Sequence, residues 1–406
     1  MFLIKRINSN KTNIIKGLYT SFFFSAFIYL SLFEIEFKLL HTLLALLAIY
    51  HFLRVPRQAL FMAGFFVGIL WFYWVGFSFT YYELAYLIPL VILGFALFYG
   101  FLFFACTIID NIIFRSLALI GLSFLEPFGF NWFNPELLFV HSYFDIDKLS
   151  FMLIVLSMAM VTQFRLIALI PLVFAVQFGT PTMITSKLDI AMPQLEIAQE
   201  QKWKRSNLNK IIELNLTLID NAIWEDKELI ILPETTLPLL LNQNDVLLDK
   251  LKEKSFYIEI VLGSLFKEGE LYHNSTYHFS QGKMSVANKV VLVPFGEAVP
   301  LPEVLRNFIN DTFYNGAKDY TRATAPTDFN IKGESFRNAI CYETTTHEIF
   351  ENLNGVKQMI SISNNAWFTP SIEPVLQKLL MKYYARLYGV TIYAVANGSE
   401  NAIITP

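Results

Sequence analysis

Three side chains in the second half of the chain, Glu234, Lys289 and Cys341, are of the types that acyl transfer requires. Glu234 closes the apolar run "LIILPE", Lys289 opens "KVVLVPFGE", and Cys341 closes "FRNAIC". A thiol becomes a nucleophile when a base takes its proton, and an acyl intermediate needs positive charge where its oxyanion develops. Glutamate as base, lysine as charge stabiliser and cysteine as nucleophile make a complete set. Each also has a plainer explanation: a strand-end cysteine packs, a lysine ahead of a strand is solvated, and Pro-Glu turns are common. Glu297, Tyr342 and Glu343 add ionisable groups close in sequence to Lys289 and Cys341. His347 lies six residues past Cys341 and is the weaker choice of base.

The elements that must position these groups follow from the pattern beyond Leu188. "LDIAMPQL", "ELIILPE", "FYIEIVLGSLF", "NKVVLVPF", "FRNAICYE", "VKQMISIS" and "VTIYAVAN" read as strands. Residues 208–224 and 374–387 carry apolar residues at helical spacing. Strand runs too apolar to alternate, with helices between them, predict a sheet covered on at least one face, hence a layered α/β domain. In such sheets active groups collect at strand ends. "TTLPLLL", directly after Glu234, is either an exposed apolar arm or a buried turn.

The first half has a different character. The 406-residue chain is 54% hydrophobic, with 40 Phe and 19 Tyr, and only 16% charged, against about 25% for a soluble protein. The deficit lies before about residue 180, which predicts a membrane half followed by a water-soluble half. A spanning helix needs ~20 apolar residues. Segments 14–33, 39–53, 59–79, 86–109, 112–125, 149–161 and 166–178 are the candidates, about seven spans with the last three short. The first has a basic leader but no small-residue cleavage site, so it reads as an uncleaved helix. Lys and Arg precede the first span and follow the second, fourth and sixth, which predicts a cytoplasmic N-terminus. An odd count then puts the second half across the membrane. The aromatic loop 126–139 is either an interfacial belt or a substrate guide. A net charge of −3 gives no polyanion footprint, so nucleic acid is not an expected partner. Two cysteines in different halves and six scattered histidines argue against a disulfide and against a metal site.

"LPET" at 232–235, "KVVLVPFGE" at 289–297, "ICYE" at 340–343 and "ISNNAWF" at 362–368 resemble the nitrilase-like domain of the apolipoprotein N-acyltransferase family. "MPQLEIAQEQKW", ending at Trp203, and "GFFVGILWFYWVGFSF" in the membrane half are similar to it as well. The resemblance implies a polytopic membrane bundle at 1–180 and an α/β nitrilase-like αββα sandwich at 181–406, the latter extracytoplasmic. It also implies a bacterial inner-membrane protein with a periplasmic catalytic domain. The implied reaction moves an acyl chain from a phospholipid, typically the sn-1 chain of phosphatidylethanolamine, onto a cysteine as a thioester. The chain then passes to the α-amino group of the diacylglyceryl-cysteine of an apolipoprotein. On this resemblance Glu234 is the general base, Lys289 the oxyanion stabiliser and Cys341 the nucleophile, with Trp203, Glu297, Tyr342 and Glu343 in support. No metal or cofactor is implied. Asn365 and Thr369 depart from the family's Asp and Gly. The family also usually continues past this chain's last residue to a further span.

Burying a CH₂ contributes about 0.8 kcal/mol, so drawing a sixteen-carbon chain into water would cost on the order of 10 kcal/mol. Chemistry at bilayer height avoids that cost. Two other readings remain open from sequence: a membrane-tethered amidase or nitrilase acting on a small substrate, and a transporter or receptor with a ligand-binding soluble domain.

Overall fold

The computed structural model of the protein describes residues 2–179, 182–299, 302, 304, 306 and 319–406. The chain forms two compact units, one of Met1–Pro127, Asn131–Thr180 and Pro370–Leu379, the other of Phe128–Phe130, Pro181–Thr369 and Leu380–Pro406.

The first unit is helical: α1 (Phe2–Leu32), α2 (Lys38–Arg54), α3 (Arg57–Phe72), α4 (Ile88–Ala105), α5 (Ile112–Leu122), α6 (Lys148–Phe164) and α7 (Leu169–Phe174). Among the described residues, four stretches are long and apolar enough to cross a membrane: Asn10–Leu32, Arg57–Tyr82, Ala85–Ala105 and Lys148–Phe174. That is fewer than the seven expected. α2 has 17 residues and α5 only 11. The Lys148–Phe174 stretch is itself folded back. Arg165 takes φ +45°, the Ser157 hydroxyl donates to the Ala168 carbonyl at 2.6 Å, and Asp145 N–H reaches the Ala175 carbonyl at 2.8 Å. The expected segments 149–161 and 166–178 therefore lie side by side as a hairpin.

Small residues let these helices approach closely, the packing device that apolar surroundings favour. A Cβ at Gly64 would stand 2.2 Å from the Tyr99 carbonyl oxygen, and one at Gly68 would stand 2.5 Å from that of Phe95. The GxxxG spacing in "GFFVG" thus seats α3 against α4. Two buried charged groups inside the unit have partners. Arg115, buried, donates to the carbonyls of Leu53 and Val55 at the end of α2. Glu136, fully buried, pairs with Lys148 at 2.8 Å.

The second unit holds two sheets. In the first, β1 (Ile190–Ala191), β2 (Leu229–Ile231) and β4 (Glu259–Glu268) run parallel. The sheet continues antiparallel through β5 (Leu271–Ser280) to β6 (Lys283–Asn288), while β3 (Leu237–Leu240) pairs with the far end of β4. In the second sheet β8 (Glu334–Ile340), β9 (Gln358–Asn364) and β10 (Thr391–Asn397) are parallel. β7 (Asp328–Ile331) and β11 (Ala402–Ile404) form its antiparallel edges.

β2 shows why its run does not alternate. Ile230 packs with Ile219 and Ala222 of α9 (Leu208–Trp224) and with Leu247, Leu248 and Leu251 of α10 (Asp245–Lys254). Leu229 and Ile231 on its other face meet Phe336, Ile340, Ile360 and Val395 of the second sheet. Both faces are buried, as in a covered sandwich. On the second sheet, Phe350 stacks on Tyr384 of the helix Glu373–Tyr388 at 5.0 Å.

Two local expectations are corrected, one left open is decided, and one element is new. "NKVVLVPF" is not a strand: its first residue ends β6 and the rest is loop. The backbone N–H groups of Val290 and Val291 are taken by the Glu343 carboxylate, and Phe295 takes φ +61°. "TTLPLLL" is not an exposed arm, since Thr236, Leu237 and Leu241 are buried and β3 lies in the sheet. The β5–β6 hairpin was not foreseen, and β11 follows the strand expected to be last.

Candidate active site

Glu234 sits just past β2, on a turn whose next residue, Thr235, has φ +43°. Gly263 of β4 makes room for that turn, because a Cβ there would lie 2.7 Å from the Glu234 Cα. The Glu234 side chain is nearly buried. Its Oε1 accepts from Asn274 Nδ2 at 2.7 Å and lies 3.9 Å from Lys289 Nζ. Lys289, fully buried, follows β6 directly, and its Nζ is 2.7 Å from Glu297 Oε2. Asn274 Nδ2 also donates to Glu297 Oε1 at 2.9 Å, so one amide bridges both carboxylates.

Cys341 stands at the end of β8 with φ +55°. A side chain in this left-handed region costs on the order of 1–3 kcal/mol, strain that recurs at functional turns. The thiol is half-buried and lies within electrostatic reach of Lys289. Burial alone would lower the Lys289 pKa. Glu297 first, then Glu234, Cys341 and Glu343, outweigh it and hold the ammonium charged above its ordinary range.

Glu343, buried two residues beyond Cys341, does not pair with Lys289 by direct contact. Its Oε1 accepts from Val290 and Val291 N–H and its Oε2 from Ile340 N–H at 2.7 Å. It thereby ties the segment after Lys289 to the strand that carries Cys341. Burial pushes its carboxyl up to about 7, against the pull of Lys289 and of those N–H groups. Tyr342 is buried, and its hydroxyl donates to the Gly129 carbonyl at 2.6 Å.

Trp203 is 46% exposed and makes no hydrogen bond to this cluster among the described residues. His347 is half-exposed, with Glu348 at 3.4 Å and Glu351 at 3.8 Å. Asn365 Nδ2 donates to the Ser399 hydroxyl at 3.0 Å. No group of three His, Cys, Asp or Glu among the described residues is arranged to hold a metal ion.

Two residues of the site carry no sequence signal of their own. Asn274 is an ordinary polar position in β5. Lys202, in the single helical turn α8 (Gln199–Lys202), is buried and donates from Nζ to the Glu234 carbonyl at 3.0 Å.

A family model described as the apolipoprotein N-acyltransferase integral membrane domain matches residues 11–178. Apolipoprotein N-acyltransferase from Wolinella succinogenes is 46% identical over 397 residues, 96% of this chain and 95% of that protein. The chain belongs to the apolipoprotein N-acyltransferase family. The Helicobacter pylori member is 40% identical over 376 residues, 90% of this chain and 88% of that one. Among solved structures, a CN-hydrolase superfamily protein from Xanthomonas campestris aligns with a TM-score of 0.42 and 15% identity, over 54% of this chain and 83% of that one. The membrane half and the two-sheet half of this N-acyltransferase family member are both within the region matched by the Wolinella protein.

Proposed function

We propose that the protein acylates the N-terminal amine of lipoproteins by a ping-pong reaction through a thioester on Cys341. The observation that carries this reading is the buried Lys289, held between Glu297 and Glu234 with the Cys341 thiol in its field. Glu234 accepts the thiol proton, and Sγ attacks the ester carbonyl of a phospholipid. The carbonyl becomes a tetrahedral oxyanion, which the Lys289 ammonium stabilises. Glu234 returns the proton to the departing lyso-lipid oxygen, leaving the acyl chain on sulfur. The neutral amine of a diacylglyceryl-cysteine then attacks the thioester, gives its proton to Glu234, and the thiol is restored.

Glu297 and Asn274 keep Lys289 and Glu234 in register, and Glu343 fixes the backbone on both sides of the nucleophile. Trp203, exposed and next in sequence to Lys202, and Tyr342 are the positions we assign to substrate contact and loop placement. The donor is a phosphatidylethanolamine-like lipid giving its sn-1 chain. The domain boundary is assigned at residues 180–181. The protein is placed as a multi-pass inner-membrane enzyme with a cytoplasmic N-terminus and its α/β unit on the periplasmic side. An odd number of crossings fits that placement, and the α6–α7 hairpin gives residues 149–178 two antiparallel arms.

The test is an assay of purified protein with a diacylated lipopeptide and defined phospholipids. Triacylated peptide should form with phosphatidylethanolamine and not with Cys341→Ala protein. Hydrolysis of small amides without transfer to the lipopeptide would refute the reading.

A further inference from the structure

Lys202 is 1% exposed, and among the described residues its side chain makes one hydrogen bond, from Nζ to the Glu234 carbonyl. Among the described residues no carboxylate lies within ion-pairing distance of its Nζ. A buried ammonium without a close counter-ion is costly, so its retention calls for a use. The turn it holds is the one that aims the base: Glu234 precedes the positive-φ Thr235 and sits against Gly263. α8 has a second buried foot at its other end. Gln199 Oε1 accepts from Asn364 Nδ2 at 2.9 Å, and Asn364 Oδ1 accepts from Asn397 Nδ2 at 2.8 Å. Asn364 and Asn397 end the neighbouring strands β9 and β10. The exposed Trp203 follows immediately. One short turn thus joins the strand-end amides, the base and the indole.

We propose that Lys202 is a positioning residue of the acyl-transfer site, holding Glu234 by its carbonyl, adding a second positive charge near Cys341, and tying the Trp203 segment to the base. The inference rests on the reading of Cys341 as nucleophile and Glu234 as base. Burial pushes the Lys202 ammonium down to about 7, against the pull of Glu234 and Cys341. Glu234, Lys289, Glu297 and Glu343 are the other titratable groups of the site. Below that value Lys202 is charged and favours the Cys341 thiolate. Above it the amine is neutral and the help is lost.

The experiment follows alkylation of Cys341 by iodoacetamide in the full-length protein in detergent, with Cys106→Ala as background so that one thiol reports. Lys202→Met removes the charge at similar volume, and Lys202→Arg keeps it at every pH. The Met variant should react about tenfold more slowly than its parent near pH 6 and within about twofold of it near pH 8.5, since tenfold corresponds to one unit of thiol pKa. The Arg variant should recover the rate near pH 6. Parallel profiles, or one constant factor at all pH values, would overturn the proposal. Lys202→Gln is read alongside, and loss of the fold in all three variants would assign Lys202 to structure and overturn it too. A parent Cys341 no more reactive than an ordinary exposed thiol would instead refute the nucleophile reading, whatever the Lys202 variants do.

Discussion

Glu343→Gln separates the electrostatic role of this carboxylate from its shape. Glu343 accepts from three backbone N–H groups, those of Val290, Val291 and Ile340. A glutamine can keep its oxygen toward the first two only by turning its NH₂ toward the Ile340 N–H. Leaving that buried donor unmatched costs about 1–3 kcal/mol. The wild-type carboxyl titrates, and the amide does not. Its folded-state value of about 7 lies above the ordinary 4.5 because burial disfavours the charge. A raised value means that the folded protein binds the proton more tightly. The stabilising contribution is therefore full below about pH 4.5 and is lost as pH rises through about 7. At 1.36 kcal/mol per unit, the swing is on the order of 3 kcal/mol. Tm moves roughly 2–4 °C per kcal/mol in domains of 150–250 residues, so the deficit of the variant should shrink by up to about 10 °C between about pH 5 and pH 8. The assay is melting of the detergent-purified full chain across that range. Wild type and variant running parallel would refute the burial argument for Glu343.

Asn274→Ala removes the amide that bridges Glu234 and Glu297. Hydrogen bonds to charged groups contribute about 1.5–3 kcal/mol each, so acyl transfer should fall more than about tenfold with a lower Tm, read by lipopeptide turnover and melting. Gly64→Val drives a side chain into the Tyr99 carbonyl. Overpacking of this kind costs about 1–3 kcal/mol, and the variant should melt earlier while any folded fraction keeps the Cys341 reactivity of wild type.

The positions of Glu234 and Cys341 at strand ends were legible for different reasons: β2 is apolar throughout, whereas β8 is mixed and shows only in the Ala339–Ile340 pair directly before Cys341. Lys289 was legible as a chemical group but not as an element. "VVLVP" has strand composition, yet its first two N–H groups bond a carboxylate 52 and 53 residues away in sequence, and no local pattern announces that. The β5–β6 hairpin did leave a signal. Gln281 and Gly282 have φ +47° and +72°, the two-residue turn that right-twisted hairpins favour, but "HNST" dilutes the apolar alternation around it. Asn274 and Lys202 were hidden for a different reason. A strand asparagine and a lysine beside an exposed tryptophan read as surface until the fold closes over them. In the helical unit the long apolar stretches stood out, and the reversal at Arg165 falls between the segments expected at 149–161 and 166–178.

The central claim is that Cys341 carries the acyl chain. Intact-mass measurement of the full-length protein after incubation with a phospholipid of one defined sn-1 chain, without acceptor, tests it most directly. The account predicts a mass gain of that acyl group in wild type, removed by neutral hydroxylamine and absent from Cys341→Ala. The same adduct on Cys341→Ala, or a wild-type protein that turns over lipopeptide without ever gaining the acyl mass, would contradict it.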